Sequence, residues 1–194
     1  MIKIVFATNN KNKIKEVQKL LPRNIELISL EDIGCEDDIP ETQHTIKGNS
    51  IQKVNYIISK YNLDCFADDT GLEISALNGD PGVHSARYAG LERNSKKNIE
   101  KVLKNLNNIK NRNARFKTVI ALSYKGEILT FEGVCDGVIS NEIQGDGGFG
   151  YDSIFKPKGI NKTFAELSFD EKNKISHRAI AIKKLIDYFN KLKS

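Results

Sequence analysis

Asp68 and Asp69 follow the apolar run Cys65-Phe66-Ala67 and precede Thr70 and Gly71. Two carboxylates at the end of a buried strand are poorly solvated, so their charge costs free energy unless a lysine, an arginine or a metal ion answers it. Adjacent side chains diverge on an extended chain. One of the pair can therefore face a ligand while the other braces the loop. Plain turn formation before Gly71 fits the same residues. Glu41, inside an acidic stretch, offers a further carboxylate. An all-oxygen ligand set with a phosphate partner, and no cysteine or histidine cluster, suits magnesium.

Three other stretches carry chemistry. Thr8, Asn9, Asn10, Lys11, Asn12 and Lys13 lie between an apolar run and a helical pattern. Free backbone N–H groups and the positive end of a helix favour phosphate at such a junction, although Asn/Thr turn chemistry with a solvated lysine fits equally. Gly145 to Asp152 sets four glycines around Phe149, with Tyr151 beside it. Such a loop lets backbone approach a ligand, and its rings can either stack on a purine or fill the core. Lys172, His177 and Arg178 form a cationic set whose donors suit a carbonyl oxygen on a base. His44 and His84 are read as structural.

These groups must be positioned by elements that the pattern predicts. Residues 2–7 read as a buried strand, followed by a helix carrying Ile14, Val17, Leu20 and Leu21. A strand at 25–30, a helix over 45–61 and a strand at 65–68 come next. Another strand at 72–77, a helix over 95–109 and a hairpin of 115–124 with 128–139, turned at Lys125-Gly126, complete the middle. Ser168 and Glu171 form a capping box that starts a helix. On one unbroken helix Lys172 and His177 would sit about 140° apart, so Ser176 is expected to begin a second helix running to about 192. Strands alternating with helices predict an α/β fold with an elongated, mixed central sheet flanked by helices.

Composition is that of a globular chain: 194 residues, 39% hydrophobic and 28% charged, enough for one domain over 1–194 with its own core. No apolar run reaches the roughly 20 residues of a membrane span, and the opening residues lack a signal-peptide pattern, so a cytoplasmic protein with no membrane partner is expected. Cys35, Cys65 and Cys135 have neither disulfide nor zinc spacing and are read as reduced packing residues. The net charge of +5 is unevenly spread: 26–80 holds twelve acids against three lysines, and 156–194 ten cations against four acids. Carboxylates facing cations suit a metal-bound polyanion such as a nucleoside triphosphate. A nucleic-acid-binding module would also exploit the basic tail. Its lysines, however, are spread around a helix that needs an apolar face, and no nucleic-acid partner is expected.

ATNNKNKIKE, ADDTGLEI, PGVHSARYAG, GGFGYDSIF and TFAELSFDEKNKISHRA, in this order over nearly the whole chain, resemble the Ham1/RdgB family of inosine triphosphate pyrophosphatases. The resemblance implies the inosine triphosphatase-like fold, with its active site in a cleft between two lobes. It also implies a magnesium-dependent enzyme, usually a homodimer, that hydrolyses non-standard purine nucleoside triphosphates (ITP, dITP, XTP) to monophosphate and pyrophosphate. By the same resemblance, Thr8 to Lys13 hold the triphosphate and Asp69 is metal ligand and proton acceptor. Glu41 is then a further metal ligand and Thr70 a substrate contact. Phe149, Gly150, Tyr151 and Asp152 form the base-side loop, closed by Lys172, His177 and Arg178. Modified-pyrimidine triphosphates are the alternative substrate class. Ser153 stands where the family commonly has proline, and His84 where it has tyrosine.

Overall fold

A computed structural model of the protein describes residues 1–192. Its strands are β1 (Ile2–Phe6), β2 (Ile25–Ile28), β3 (Cys65–Ile74), β4 (Pro81–Gly82), β5 (Asn113–Tyr124), β6 (Glu127–Ile139) and β7 (Phe155–Pro157). Its helices are α1 (Lys11–Leu20), α2 (Ile46–Tyr61), α3 (Ser95–Asn105), α4 (Phe169–Ile175) and α5 (His177–Lys191). The strands form one mixed sheet in the order β2-β1-β3-β5-β6-β7, with β4 paired to β3. β1 runs parallel to β2 and β3, whereas β3–β4 and β6–β7 are antiparallel. At the β5–β6 turn Lys125 and Gly126 both adopt positive φ, 50° and 84°, as a two-residue primed hairpin turn requires.

The chain divides into two compact units, Met1–Asp69 with Thr118–Gly133 and Arg178–Ser194, and Thr70–Lys117 with Val134–His177. In the first, strand alternation builds two apolar layers. Ile4, Phe6, Phe66, Ile120 and Leu122 face Val17 of α1 and Ala181, Ile182, Leu185 and Phe189 of α5. Their sequence neighbours Val5, Ala7, Cys65, Ala67 and Ala121 face Val54 and Ile57 of α2. Burial on both faces explains why these strands read as continuous apolar runs. Phe6 and Phe66 stack across β1 and β3 at 4.5 Å.

In the second unit, Ile99, Val102 and Leu106 pack with Leu72, Ile74, Phe116, Ile139, Tyr151, Phe155 and Phe164. α3 ends at Asn105 rather than at 109, because the Asn107-Asn108 pair that follows favours a turn and Asn108 takes φ 59°. The helix break before His177 is present: Ser176 is extended, at φ −70° and ψ 151°.

Two further expectations are corrected. The first is the strand at 72–77, which ends at Ile74 because Ser75–Leu77 forms a short 3-10 helix closed by Asn78 at φ 54°. Second, the strand at 65–68 does not end at Asp68, and Thr70-Gly71 is no turn. β3 continues to Ile74, and Leu72 and Ile74 keep the strand's buried period while Gly71 has no positive φ. Asp68 and Asp69 therefore sit within a strand, where neighbouring side chains must leave on opposite faces. Among the described residues the three cysteines are buried and unbridged. Burial pushes the Cys65 thiol up to about 12 and Cys135 up to about 11, as inert packing residues require. Among the described residues no helix is long and apolar enough to cross a membrane.

Candidate active site

Asp68 leaves β3 on the face covered by α1 and α5, and three groups from those helices meet there. Lys13 Nζ lies 2.9 Å from Asp68 Oδ1, and Arg178 Nε donates to Asp68 Oδ2 at 3.1 Å. The Arg178 guanidinium also bonds Glu16 through Nη1. Arg178 is 2% exposed, so this is a desolvated network in which each charge has a partner. Burial would raise the Asp68 pKa, but Lys13, Arg178 and Lys53 outweigh it and hold the carboxyl well below the usual carboxylate range. Burial, reinforced by Lys53 and Arg178, lowers the Lys13 ammonium, and Asp68 offsets only part of this.

A depressed carboxyl contributes stability that is full above its unfolded value near 4 and is lost as pH falls through the lower folded value. Asp68→Asn is therefore expected to destabilise the protein at pH 7, with the difference from wild type shrinking below about pH 4. Urea midpoints measured against pH check this. A gap that stays constant down to the acid limb would exclude Asp68 as its source.

Asp69 leaves on the opposite face, toward α2. Asn49 Nδ2 donates to its Oδ2 at 3.2 Å, and Lys53 Nζ stands 3.9 Å from its Oδ1. The same Lys53 ammonium donates to Glu41 Oε1 at 2.8 Å and to the Asp68 carbonyl at 2.6 Å. Burial raises the Asp69 pKa and Glu41 adds to it, against Lys53 and Lys13, which lower it. For Lys53 burial acts downward, but Asp69, Glu41 and Asp68 prevail and raise it. Asp69 and Glu41 thus present two carboxylates to the same ammonium, that of Lys53. That donor set fits a hard divalent cation held by one or two carboxylates and completed by phosphate oxygens. Among the described residues no three His, Cys, Asp or Glu side chains gather as a ready-made metal cage.

In the opening loop, Asn10 does the turn chemistry. Its Oδ1 caps α1 by accepting from the N–H groups of Asn12 and Lys13 at 3.0 and 3.2 Å. Thr8 Oγ1 accepts from Asn10 N–H at 3.2 Å, and Asn9 Nδ2 donates to the Asp37 carbonyl at 3.3 Å. Lys11 and Asn12 are exposed, while Lys13 points inward to Asp68.

The glycine loop belongs to the second unit and is fixed by Asp152. The Asp152 carboxylate accepts from Phe149 N–H at 2.8 Å and from Lys172 Nζ at 2.7 Å. Gly148 is required here, because it takes φ +68° and a Cβ would stand 2.2 Å from Asp152 Oδ2. The Lys172 ammonium lies 5.0 Å from the centre of the Phe149 ring. Tyr151 is a core residue whose hydroxyl donates to the Ser85 carbonyl at 2.8 Å. His177 is buried with its ring stacked on Phe116 at 4.5 Å. Gly150 adopts φ +63°, and Thr70 is half-buried on β3. Ser153 lies in a one-turn helix where its carbonyl accepts from Gln144 N–H at 2.8 Å, and His84 is exposed.

Sequence reasoning missed Glu16, Asn49 and Lys53. A signal existed: on α2 the buried positions Ile46, Asn49, Ser50, Lys53, Val54 and Ile57 follow helical spacing, so Asn49 and Lys53 interrupt an apolar stripe.

An α/β sheet that sends adjacent carboxylates to opposite faces, each met by cations from a covering helix, defines a protein organised around carboxylates and lysines rather than a thiol or a glycine-rich phosphate loop. The chain belongs to the Ham1 family, whose model matches residues 4–188. It is 56% identical to a dITP/XTP pyrophosphatase of Flavobacterium johnsoniae, with 96% of this chain and 97% of that protein covered. A dITP/XTP pyrophosphatase of Bacillus subtilis is 48% identical over 95% of this chain and 96% of its own. Among solved structures, the Ham1 protein of Staphylococcus aureus superposes with a TM-score of 0.89 at 39% identity, covering 99% of this chain and all of that one. A HAM1 protein from Coxiella burnetii gives 0.90 at 39% identity, with 98% and 100% covered.

Proposed function

We propose that the protein is a nucleoside triphosphate pyrophosphatase, acting as one catalytic domain, that hydrolyses ITP, dITP and XTP to the monophosphate and pyrophosphate. The observation that carries this reading is the buried Asp69 carboxylate on β3, set with Glu41 around the Lys53 ammonium. The name shared by the curated relatives supplies the substrate class.

Magnesium held by Asp69, Glu41 and phosphate oxygens would neutralise charge on the triphosphate and favour attack by water. Asp69 is assigned to take the proton of that water, with Asn49 and Lys53 fixing its carboxylate. Water oxygen bonds to the α-phosphorus as the bond to the α–β bridging oxygen breaks. Pyrophosphate leaves, its charge met by Lys13, while Asp68 and Arg178 keep that lysine in place. Thr8 to Asn12 and Thr70 are assigned to the phosphates.

Phe149, Gly150, Tyr151, Asp152, Lys172, His177 and Arg178 are assigned to the base side. Donors there match the 6-oxo acceptor of hypoxanthine and xanthine and leave the 6-amino group of adenine unmatched. A homodimer acting in the cytoplasm completes the proposal.

Hydrolysis in ¹⁸O-water tests the chemistry. The label is expected in the nucleoside monophosphate, as attack at the α-phosphorus demands. Label in pyrophosphate, or release of a nucleoside diphosphate with orthophosphate, would refute the reading.

A further inference from the structure

α2 holds the acidic loop that carries Glu41 by a continuous row of side chains. Asn49, Gln52, Lys53, Tyr56 and Lys60 recur at helical spacing and so share one stripe. A surface helix ordinarily turns such a polar stripe to water. Here each member grips the 34–45 loop. Lys53 bonds Glu41, and Gln52 bonds Thr42 twice: its Oε1 accepts from Thr42 N–H at 2.9 Å and its Nε2 donates to Thr42 Oγ1 at 2.8 Å. Asn49 Oδ1 accepts from Gln43 N–H at 2.9 Å. Farther along, Tyr56 and Lys60 donate to the Asp37 carboxylate. Three successive loop residues, 41 to 43, are thus matched in reverse order by three residues of one helix. Gly48 lets the loop lie this close, since a Cβ there would stand 2.8 Å from Gln43 Cβ.

Asn49 adds a second contact that the first one dictates. Gln43 N–H can bond only the amide oxygen, so the amide nitrogen must face Asp69, where it donates to Oδ2. One buried amide therefore ties the Glu41 loop to the Asp69 carboxylate. Gln52, half-buried, fixes the same loop one residue from Glu41.

We propose that Asn49 and Gln52 are positioning residues: through the α2 stripe they hold Glu41 and Asp69 at the separation and orientation a divalent cation needs. This rests on the reading of Glu41 and Asp69 as its ligands. Outer groups that orient metal ligands typically change affinity by about 10- to 100-fold when removed.

The test is a Mn²⁺ titration by electron paramagnetic resonance on the intact, nucleotide-free protein, paired with the Mg²⁺ concentration giving half-maximal turnover of dITP. Variants are Asn49→Ala, Gln52→Ala, Glu41→Gln, Asp69→Asn and, as a control on the exposed side of the same helix, Lys47→Ala. Asn49→Ala and Gln52→Ala are expected to weaken Mn²⁺ binding by roughly tenfold and to raise the Mg²⁺ requirement in parallel. At saturating Mg²⁺ their KM for dITP stays near the wild-type value, and Lys47→Ala changes neither quantity. Gln52→Ala keeps the test open if Asn49→Ala fails to fold. Unchanged Mn²⁺ affinity in Gln52→Ala, with Glu41→Gln and Asp69→Asn both weakened, would overturn the positioning role alone. Unchanged affinity in Glu41→Gln and Asp69→Asn as well would overturn that role together with the ligand reading beneath it.

Discussion

Asp69→Asn is expected to lower turnover by about 10³-fold or more while changing the stability of the metal-free protein far less. The stability half balances two opposing effects: Asp69 raises the buried Lys53 ammonium, while burial makes its own charge costly. Burial and the neighbouring Glu41 raise the Asp69 carboxyl, so the native state binds its proton more readily than the unfolded chain does. An acid with a raised folded value loses stability as pH rises through the window between its unfolded and folded values, and at neutral pH its ionised form is a cost. Asparagine removes that charge and retains an oxygen where Lys53 approaches. Turnover measured beside the urea midpoint separates a functional carboxylate from a structural one. Full activity in the variant would sink the assignment, and a large fall in midpoint would show that Asp69 serves the fold.

Arg178→Met should do the reverse and strike stability first, by about 3–5 kcal/mol, or roughly 10 °C in melting temperature for a chain of this size. Its guanidinium is almost wholly buried and bonds Asp68 through Nε and Glu16 through Nη1. Removing it leaves Glu16 and Asp68 to share the charge of Lys13 in a desolvated site. Lysine should not restore it, because one ammonium cannot reproduce a fork that serves two carboxylates at once. By contrast, the Lys97–Glu92 pair, with both side chains more than half exposed, should be nearly dispensable. Differential scanning calorimetry decides the matter. A melting temperature within two or three degrees of wild type would mean that this network adds little.

This contrast bears on how base selectivity should be examined. Arg178 serves the carboxylate network of the first unit, whereas His177, next to it in the chain, stacks in the aromatic cluster of the second. A loss of activity in an Arg178 variant therefore mixes folding with chemistry. The ITP to ATP ratio of a folded His177 variant is the cleaner measure of base choice.

Much of this was legible because local rules were strong. The strand, turn and helix at the N terminus, the Lys125-Gly126 turn, the Ser168 to Glu171 capping box and the break at Ser176 all carry signatures within a few residues. The divergence of Asp68 and Asp69 followed from strand alternation alone. What each would meet did not, since Lys53 and Arg178 lie 15 and 110 residues away from Asp68 in sequence. Thr70-Gly71 misled because that dipeptide suits a turn, yet the buried period resumes at Leu72 and the sheet overrides local preference. β4 and β7, of two and three residues, are too short to show a period. A second capping box, Thr163 with Glu166, went unread although it has the same form as the first. Asn49 and Lys53 stayed hidden because polar residues on an amphipathic helix are ordinarily assigned to water.

Pyrophosphate release from ITP, XTP, dITP, GTP, ATP and dUTP, with and without Mg²⁺ and with Asp69→Asn as control, tests the central claim most directly. Metal-dependent release that is strongest with ITP, XTP and dITP and lost in the variant is the predicted result. Release of pyrophosphate from none of the six, or undiminished release by Asp69→Asn, would contradict it.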